Sequence, residues 1–231
     1  MLFNLLQAVE NTAAIPTENI SQEMEFHLIE MATKGGWLML VLLFLSIMAI
    51  YIFGNKWWMI RRAGKIDKNF MKDIRDLIHD GKIKSALALC QKYDSPVARL
   101  VEKGIERIGR PLPDIQAAVE NMGNVEVARL EKGLPMLATI SGGAPMIGFL
   151  GTVSGMIQAF FRMSNAGNNI DITLLSGGIY EAMVTTVGGL FVGIIAYFGY
   201  NYLTSQISNL VFKMERTTIE FIDMLHEPAD R

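Results

Sequence analysis

Cysteine is almost absent from this chain, which has one, Cys90, among 231 residues. A single thiol excludes an internal disulfide framework. Cys90 lies on an apolar helical face, which predicts a buried and unreactive side chain. Histidine is also rare, with three residues, and none has a partner at metal-ligand spacing. The sequence therefore predicts no metal site and no cofactor.

Motifs of several enzyme and nucleotide-binding classes are missing as well. The segment GFLGTVSG superficially resembles a phosphate-binding loop, but no GK[ST] follows it and it lies inside an apolar run. The sequence contains no HExxH motif and no nucleophile elbow. We therefore expect no catalytic residues, no ATP-driven chemistry and no binding of nucleic acid.

Charge is missing from three long stretches. Residues 36–53 and 133–161 have no formal charge, and residues 172–212 have only Glu181. A bilayer core requires about 20 apolar helical residues. The stretches lack the alternation of barrel strands, so helices are the spanning structure that satisfies their backbone. As one helix, residues 172–212 would be roughly 60 Å long, which crosses a membrane and projects beyond it.

The remaining charge predicts an orientation. Residues 1–35 are mainly acidic, whereas seven basic residues follow the first span closely: Lys56, Arg61, Arg62, Lys65, Lys68, Lys72 and Arg75. Trp37 and the pair Trp57 and Trp58 flank this span, as aromatic residues do at membrane interfaces. By the positive-inside rule, the N-terminus is expected outside and the basic end in the cytoplasm.

These features predict an all-α membrane protein. It has three transmembrane helices, a helical cytoplasmic insert, and long helices that project into the cytoplasm. The three spans are expected at residues 36–60, 133–161 and 174–203. A periplasmic N-terminus (1–35) precedes them, the cytoplasmic insert (61–132) follows the first, and a periplasmic turn (162–173) follows the second. A cytoplasmic C-terminal helix (204–231) follows the third.

Helical periodicity subdivides the insert. Apolar spacing predicts helices near residues 70–78, 83–90 and 97–108, with Ser95 as the N-cap of the last one. From Asp114 the pattern predicts one helix that runs unbroken into the second span, with kinks at Pro135 or Pro145. An apolar stripe is expected to pack the C-terminal helix beside the insert: Phe212, Ile219, Phe221, Ile222 and Leu225.

Polar residues within the spans are the candidate functional residues. A charge at the depth of Glu181 costs about 2.5–3.5 kcal/mol on insertion scales, and intramembrane acids usually mark ion pathways. A helical wheel places Thr185 on the face of Glu181 and Thr186 on the neighbouring face, while Thr152 lies in the second span. These hydroxyls, or groups on another chain, could complete an ion path. The alternative is a structural glutamate bonded to a threonine.

Small residues recur in the second and third spans and predict close helix packing. The candidate packing residues are Gly148, Gly151, Gly155, Gly189, Gly193 and Pro145. A lone unit of three helices is expected to leave such faces unfilled. The sequence therefore predicts a homo-oligomer.

Two segments carry a family resemblance. RLEKGLPMLATISGGAPMIGFLGTVSGMIQAF and GGIYEAMVTTVGGLFVGIIAY resemble the second and third spans of the MotA/TolQ/ExbB proton channel family. The shared features are a Gly-Leu-Pro start, an Ala-Pro pair, GTV-x-GM, and a glutamate followed by threonine and glycine. The three expected spans resemble the ExbB/TolQ branch and differ from flagellar stator subunits, which have four.

The resemblance implies a mechanism that the residues alone do not. Five copies would surround a pore in the bacterial inner membrane, with two single-span ExbD/TolR-like partners inside. The matching positions Glu181, Thr152 and Thr186, with Thr185 beside them, would line the proton pathway. Proton flow, worth about 2.3 kcal/mol per charge through 100 mV, would drive a TonB-like protein for outer-membrane transport.

Other functions stay open at this point. A TolQ-like role in envelope integrity and a gliding-type motor would use the same machinery. A secondary transporter would require inverted repeats and broken helices, and the sequence shows no internal repeat. A structural scaffold without an ion path is the remaining class.

Overall fold

The computed structural model describes residues 36–226, except residues 66, 68 and 166–171. The described part contains helices and no strand. In chain order the helices are α1 (Gly36–Ala63), α2 (Phe70–His79), α3 (Ile83–Lys92), α4 (Pro96–Ile105), α5 (Leu112–Glu131), α6 (Leu134–Asn165) and α7 (Ile172–His226). The all-α prediction is confirmed. The segments 1–35 and 227–231, and the centre of the turn between α6 and α7, lie outside the described residues.

Among the described residues, three stretches are long and apolar enough to cross a membrane: α1, the α5–α6 stretch and α7. In α7, 55 consecutive residues form one helix, which is roughly 80 Å long at the standard rise. Its length confirms that the third apolar stretch continues well beyond the thickness of a bilayer core.

The three long helices pack side by side with alternating direction. Gly193 of α7 lies beside Pro145 of α6, and Gly178 lies beside Ala159, so these two helices are antiparallel. Gly188 of α7 contacts Met39 of α1, and Gly199 contacts Phe53, so α1 and α7 run parallel. The three directions are consistent with three successive crossings of one membrane.

The insert helices α2, α4 and α5 pack against the far end of α7, and α3 packs against α2 and α4. Phe221 is fully buried there, and a methyl group added at Gly104 of α4 would overlap its ring. The expected apolar stripe on this part of α7 is correct for Phe221, Ile222 and Leu225, which pack in the insert core. It is wrong for Phe212 and Ile219, which are 69% and 62% exposed.

A partly buried ion pair joins two helices of the insert. Arg99 of α4 donates from Nε and Nη2 to the two carboxylate oxygens of Glu126 in α5, at 2.8 and 2.6 Å. Such a two-point contact restricts the geometry of both side chains. The hydrogen bonds to Glu126 raise the pKa of Arg99 above its usual value, although burial opposes the shift.

Ser95 occupies the N-cap position of α4 as predicted, but its hydroxyl makes no capping hydrogen bond. Instead, Ser95 Oγ donates to the carbonyl oxygen of Ala63, the last residue of α1, at 3.1 Å. The buried hydroxyl thus ties the start of α4 to the end of the first apolar helix.

The expected unbroken helix from Asp114 into the second span is wrong. α5 ends at Glu131 and α6 begins at Leu134, with Gly133 between them at a φ of 93°. This left-handed conformation is readily adopted by glycine and interrupts the helical hydrogen-bond pattern. Pro145 lies inside α6, and Pro135 is the second residue of α6.

Candidate functional site

The contact between α6 and α7 depends on residues without side chains. A methyl group added at Gly189 would lie 2.6 Å from the carbonyl oxygen of Ala144 and 2.8 Å from Cα of Gly148. One added at Gly148 would lie 3.0 Å from the carbonyl oxygen of Thr185. The two backbones therefore approach as closely as small residues permit.

The other glycines predicted for packing lie along the same contact. Gly151 receives the side chain of Thr185, and a methyl group at Gly155 would lie 2.8 Å from Cβ of Ala182. A methyl group at Gly193 would lie 2.7 Å from Cδ of Pro145. All six predicted packing positions thus lie between α6 and α7 of one chain. The idea that a single chain leaves these faces unfilled is therefore wrong.

Thr186 reaches across this contact. Its Oγ1 donates to the carbonyl oxygen of Gly148 at 2.9 Å. In an α-helix the same carbonyl accepts the backbone N–H four residues on, which belongs to Thr152. Thr152 is partly exposed, and its own Oγ1 donates to the carbonyl oxygen of Phe149 at 2.6 Å. The shared Gly148 carbonyl connects Thr186 with the helical turn that presents Thr152.

Thr185 has a different environment from its neighbour. It is buried against Gly151, and its Oγ1 donates to the carbonyl oxygen of Ala182 at 2.8 Å. With this hydrogen bond made inside its own helix, Thr185 contributes mainly to the α6–α7 contact.

Glu181 lies on the side of α7 that faces α1. The side chain is half-buried, and its Oε1 lies where a methyl group on Gly36 would be. Within the described part of the chain, no hydrogen bond joins Glu181 to Thr152, Thr185 or Thr186. The structure thus brings Thr186 and the Thr152 turn together and places Glu181 beside the start of α1.

Comparison with known proteins adds to this geometry. Residues 92–216, which include all of α6 and most of α7, match the MotA/TolQ/ExbB proton channel family. This chain belongs to that family. The family match includes Glu181, all three threonines and the whole α6–α7 contact.

Individual relatives favour the ExbB/TolQ branch. An ExbB homolog of Methanothermobacter thermautotrophicus is 28% identical over 188 residues, which are 81% of this chain and 66% of the relative. An ExbB-like protein of Synechocystis sp. is 29% identical over 181 residues, 77% of this chain and 71% of the relative. The TolQ protein of Haemophilus influenzae is 35% identical over 106 residues, 46% of each chain.

Family membership and the three apolar helices make this chain a multi-pass membrane protein and a proton-channel subunit of the ExbB/TolQ type. Proteins of this type energise transport and are not a known enzyme class. They work with ExbD/TolR-like partners in a membrane complex.

Sequence reasoning missed the role of Lys56. In the sequence it is one of the basic residues that follow the first span, but its side chain is buried. Lys56 Nζ donates to the carbonyl oxygens of Arg129 and Leu130, at 3.3 and 3.2 Å, in the last turn of α5. Helix C-termini leave such carbonyls unsatisfied. Lys56 and Arg129 are 73 residues apart, so no local sequence pattern around either residue predicts this contact.

Proposed function

We propose that this chain is an ExbB-like subunit of a proton-driven motor in the bacterial inner membrane. With an ExbD-like single-span partner, it converts proton motive force into work on a TonB-like protein for outer-membrane transport. Two relatives that cover most of this chain are named for ExbB, which favours this assignment. A TolQ-like role in the envelope is the second candidate, because the Haemophilus relative is a Tol-Pal protein.

The hydrogen bond from Thr186 to the Gly148 carbonyl carries the proposal for the ion path. It joins the two helices that the family shares, next to the turn of Thr152. Glu181 is the one formal charge of residues 172–212 and lies five residues earlier in α7, about 7.5 Å along the axis. We assign Glu181, Thr152 and Thr186, with Thr185 beside them, to a partly hydrated pathway completed by other chains.

Assembly into a homo-oligomer, with five copies as the family resemblance implies, would enclose that pathway. Large apolar side chains cover the outer surfaces of α6 and α7: Phe149, Val153, Val187, Leu190 and Ile194 are 42–66% exposed. In a membrane such surfaces contact lipid, a neighbouring copy or a partner helix. The glycines are already used within the chain, so these larger residues would form the contacts between copies.

Substitutions at Glu181 and Thr152 test the pathway. Glu181→Ala should abolish proton-driven activity while the complex still assembles, because it removes the carboxylate and leaves the α6–α7 glycine contact in place. Thr152→Val should impair activity, since the side chain keeps its size and loses its hydroxyl. Thr152→Ser retains the hydroxyl and should be tolerated. Proton uptake into proteoliposomes, and growth that depends on energised uptake, measure the effect.

The opposite pattern would favour a structural scaffold. In that case Thr152→Val would leave proton uptake unchanged, and Glu181→Ala would reduce the amount of folded complex. Native mass spectrometry of each variant separates loss of assembly from loss of proton movement.

A further inference from the structure

Two cavities are stacked along the cleft between α1 and α7. The first has a volume of about 320 Å³ and an apolar lining that includes Ile50, Phe53 and Phe198. The second, of about 300 Å³, is lined by Trp57, Arg61, Lys65 and Gln206, among others. Tyr202 lines both cavities, so they adjoin each other along the cleft, which has an apolar half and a basic half.

The cleft follows one face of each helix. On α1 its lining residues recur every four positions at Ala49, Phe53, Trp57 and Arg61, which is the spacing of one helical face. From Ala49 to Arg61 the cleft extends about 18 Å along the helix axis. One leaflet of a bilayer has about 15 Å of hydrocarbon. The basic half therefore lies at headgroup level when the apolar half lies among acyl chains.

The basic half has no internal counter-charge. No carboxylate among the described residues lines either cavity. Arg61 stacks on the Trp57 ring, with 4.2 Å from Cζ to the ring centroid, and its neighbour Arg62 is the residue that pairs with Asp94. Arg61 and Lys65 thus present two cations beside the donors of Tyr202 and Gln206. Two cations without a counter-charge favour binding of an anion in the basic half. Guanidinium and ammonium groups both bind phosphate.

The size of the apolar half limits what can occupy it. A helix of 10 Å diameter that crosses one leaflet fills about 1,200 Å³, whereas the apolar cavity has about 320 Å³. The cavity therefore suits a single hydrocarbon chain and not a neighbouring helix. Gly199 and Phe53 approach closely at its centre, which keeps the cleft narrow.

We propose that the α1–α7 cleft is a binding site for an anionic phospholipid. One acyl chain lies in the apolar half, and the phosphate lies between Arg61 and Lys65. The site belongs to the leaflet at the basic end of α1, whichever side of the membrane that is. It is independent of the proposed ion path, because neither cavity includes Glu181 or the threonines.

Lipid binding can be measured through Trp57, the tryptophan that lines the cleft. In a full-length Trp37→Phe, Trp58→Phe background, phosphatidylglycerol with brominated acyl chains should quench Trp57 saturably in the detergent-solubilised complex. Brominated phosphatidylcholine should bind at least tenfold more weakly. Arg61→Gln with Lys65→Gln should weaken phosphatidylglycerol binding about 25-fold, since each cation near an anionic surface contributes about fivefold. Dihexanoyl phosphatidylglycerol should also bind weakly, because its chains do not fill the apolar half.

A matched control removes two other exposed lysines, Lys84 and Lys92 of α3, which line neither cavity. Lys84→Gln with Lys92→Gln should leave lipid affinity unchanged. Equal quenching by both headgroups, or an equal loss in the control, would overturn the proposal. Displacement of the lipid by millimolar inorganic phosphate would show a phosphate site instead. Cross-linking of Ile50→Cys between copies, without selective lipid binding, would show that a second copy covers the cleft.

Discussion

Burial governs the chemistry of Cys90. The side chain is almost inaccessible and packs in the insert with Phe70, Ile74 and Ala86. This burial, reinforced by the nearby charge of Glu102, raises the pKa of the thiol to about 12. Because the thiolate is the nucleophile, native Cys90 should react with maleimide only after the insert opens. The sequence had predicted a buried, unreactive thiol.

The raised pKa of Cys90 also predicts a dependence of stability on pH. The folded state holds its proton up to about pH 12, whereas the unfolded thiol loses it from about pH 9. The contribution to stability is therefore complete below pH 9 and declines between pH 9 and 12. Denaturation midpoints measured over this range should fall more steeply for the wild type than for Cys90→Ala. Parallel curves would contradict the assigned pKa.

Glycine positions in α6 and α7 differ sharply in the space around them. An added methyl group at Gly189 would meet backbone atoms of α6, whereas at Gly142 it would meet no atom within 4 Å. Gly189→Ala should therefore destabilise the protein by about 1–3 kcal/mol through overpacking. Gly142→Ala should be neutral or stabilising by up to about 1 kcal/mol, because alanine favours helix. Thermal unfolding in detergent distinguishes the two, and equal midpoints would contradict the α6–α7 geometry.

At the scale of elements, the junction between α5 and α6 connects the insert with the membrane helices. Gly133 separates the two helices, and Lys56 of α1 binds the carbonyls at the end of α5. The lysine satisfies backbone acceptors that the helix end leaves free. The Lys56 contact therefore joins α1 to the junction of α5 and α6.

The conformation of Gly133 makes this junction testable. Gly133→Ala should cost about 1–2 kcal/mol, because a side chain disfavours the left-handed region. Gly123→Ala is the matched control, since Gly123 lies inside α5 with its nearest atom at an ordinary 3.8 Å. That substitution should be neutral or stabilising. Hydrogen exchange at the end of α5 should increase in Gly133→Ala alone, and unchanged exchange would indicate that the break is not needed.

At the scale of the whole molecule, the parallel α1 and α7 and the antiparallel α6 are consistent with three crossings. The charge asymmetry predicts which side is the cytoplasm, with the insert inside and residues 1–35 outside. This orientation stays a prediction. It determines on which side the motor would contact its partners.

Cysteine labelling in intact cells tests the orientation. Lys82 lies exposed between α2 and α3, so Lys82→Cys in a Cys90→Ala background offers an accessible thiol in the insert. An impermeant maleimide should label it only after the cells are lysed. Thr12→Cys, in the segment predicted outside, should be labelled in intact cells. The reverse labelling would invert the topology.

The sequence by itself determined the class of the molecule. Long stretches without charge must form self-satisfied helices in a membrane, because the bilayer core offers no other hydrogen-bond partners. Helix positions in the insert followed from local apolar spacing, with Gly81 and Gly109 at positive φ after the predicted helices. The motifs around Thr152 and Glu181 were also sufficient for the family.

Only the tertiary structure decided which way each candidate side chain faces. Rotation of a helix about its axis depends on the elements packed against it, and those are distant in the sequence. Thr186 therefore bonds to the Gly148 carbonyl of α6, while Glu181, on the same helix, lies beside Gly36 of α1. The break at Gly133 had a local signal in the Gly-Leu-Pro sequence. The burial of Lys56 had none, because its partners are backbone carbonyls that exist only where α5 ends against α1.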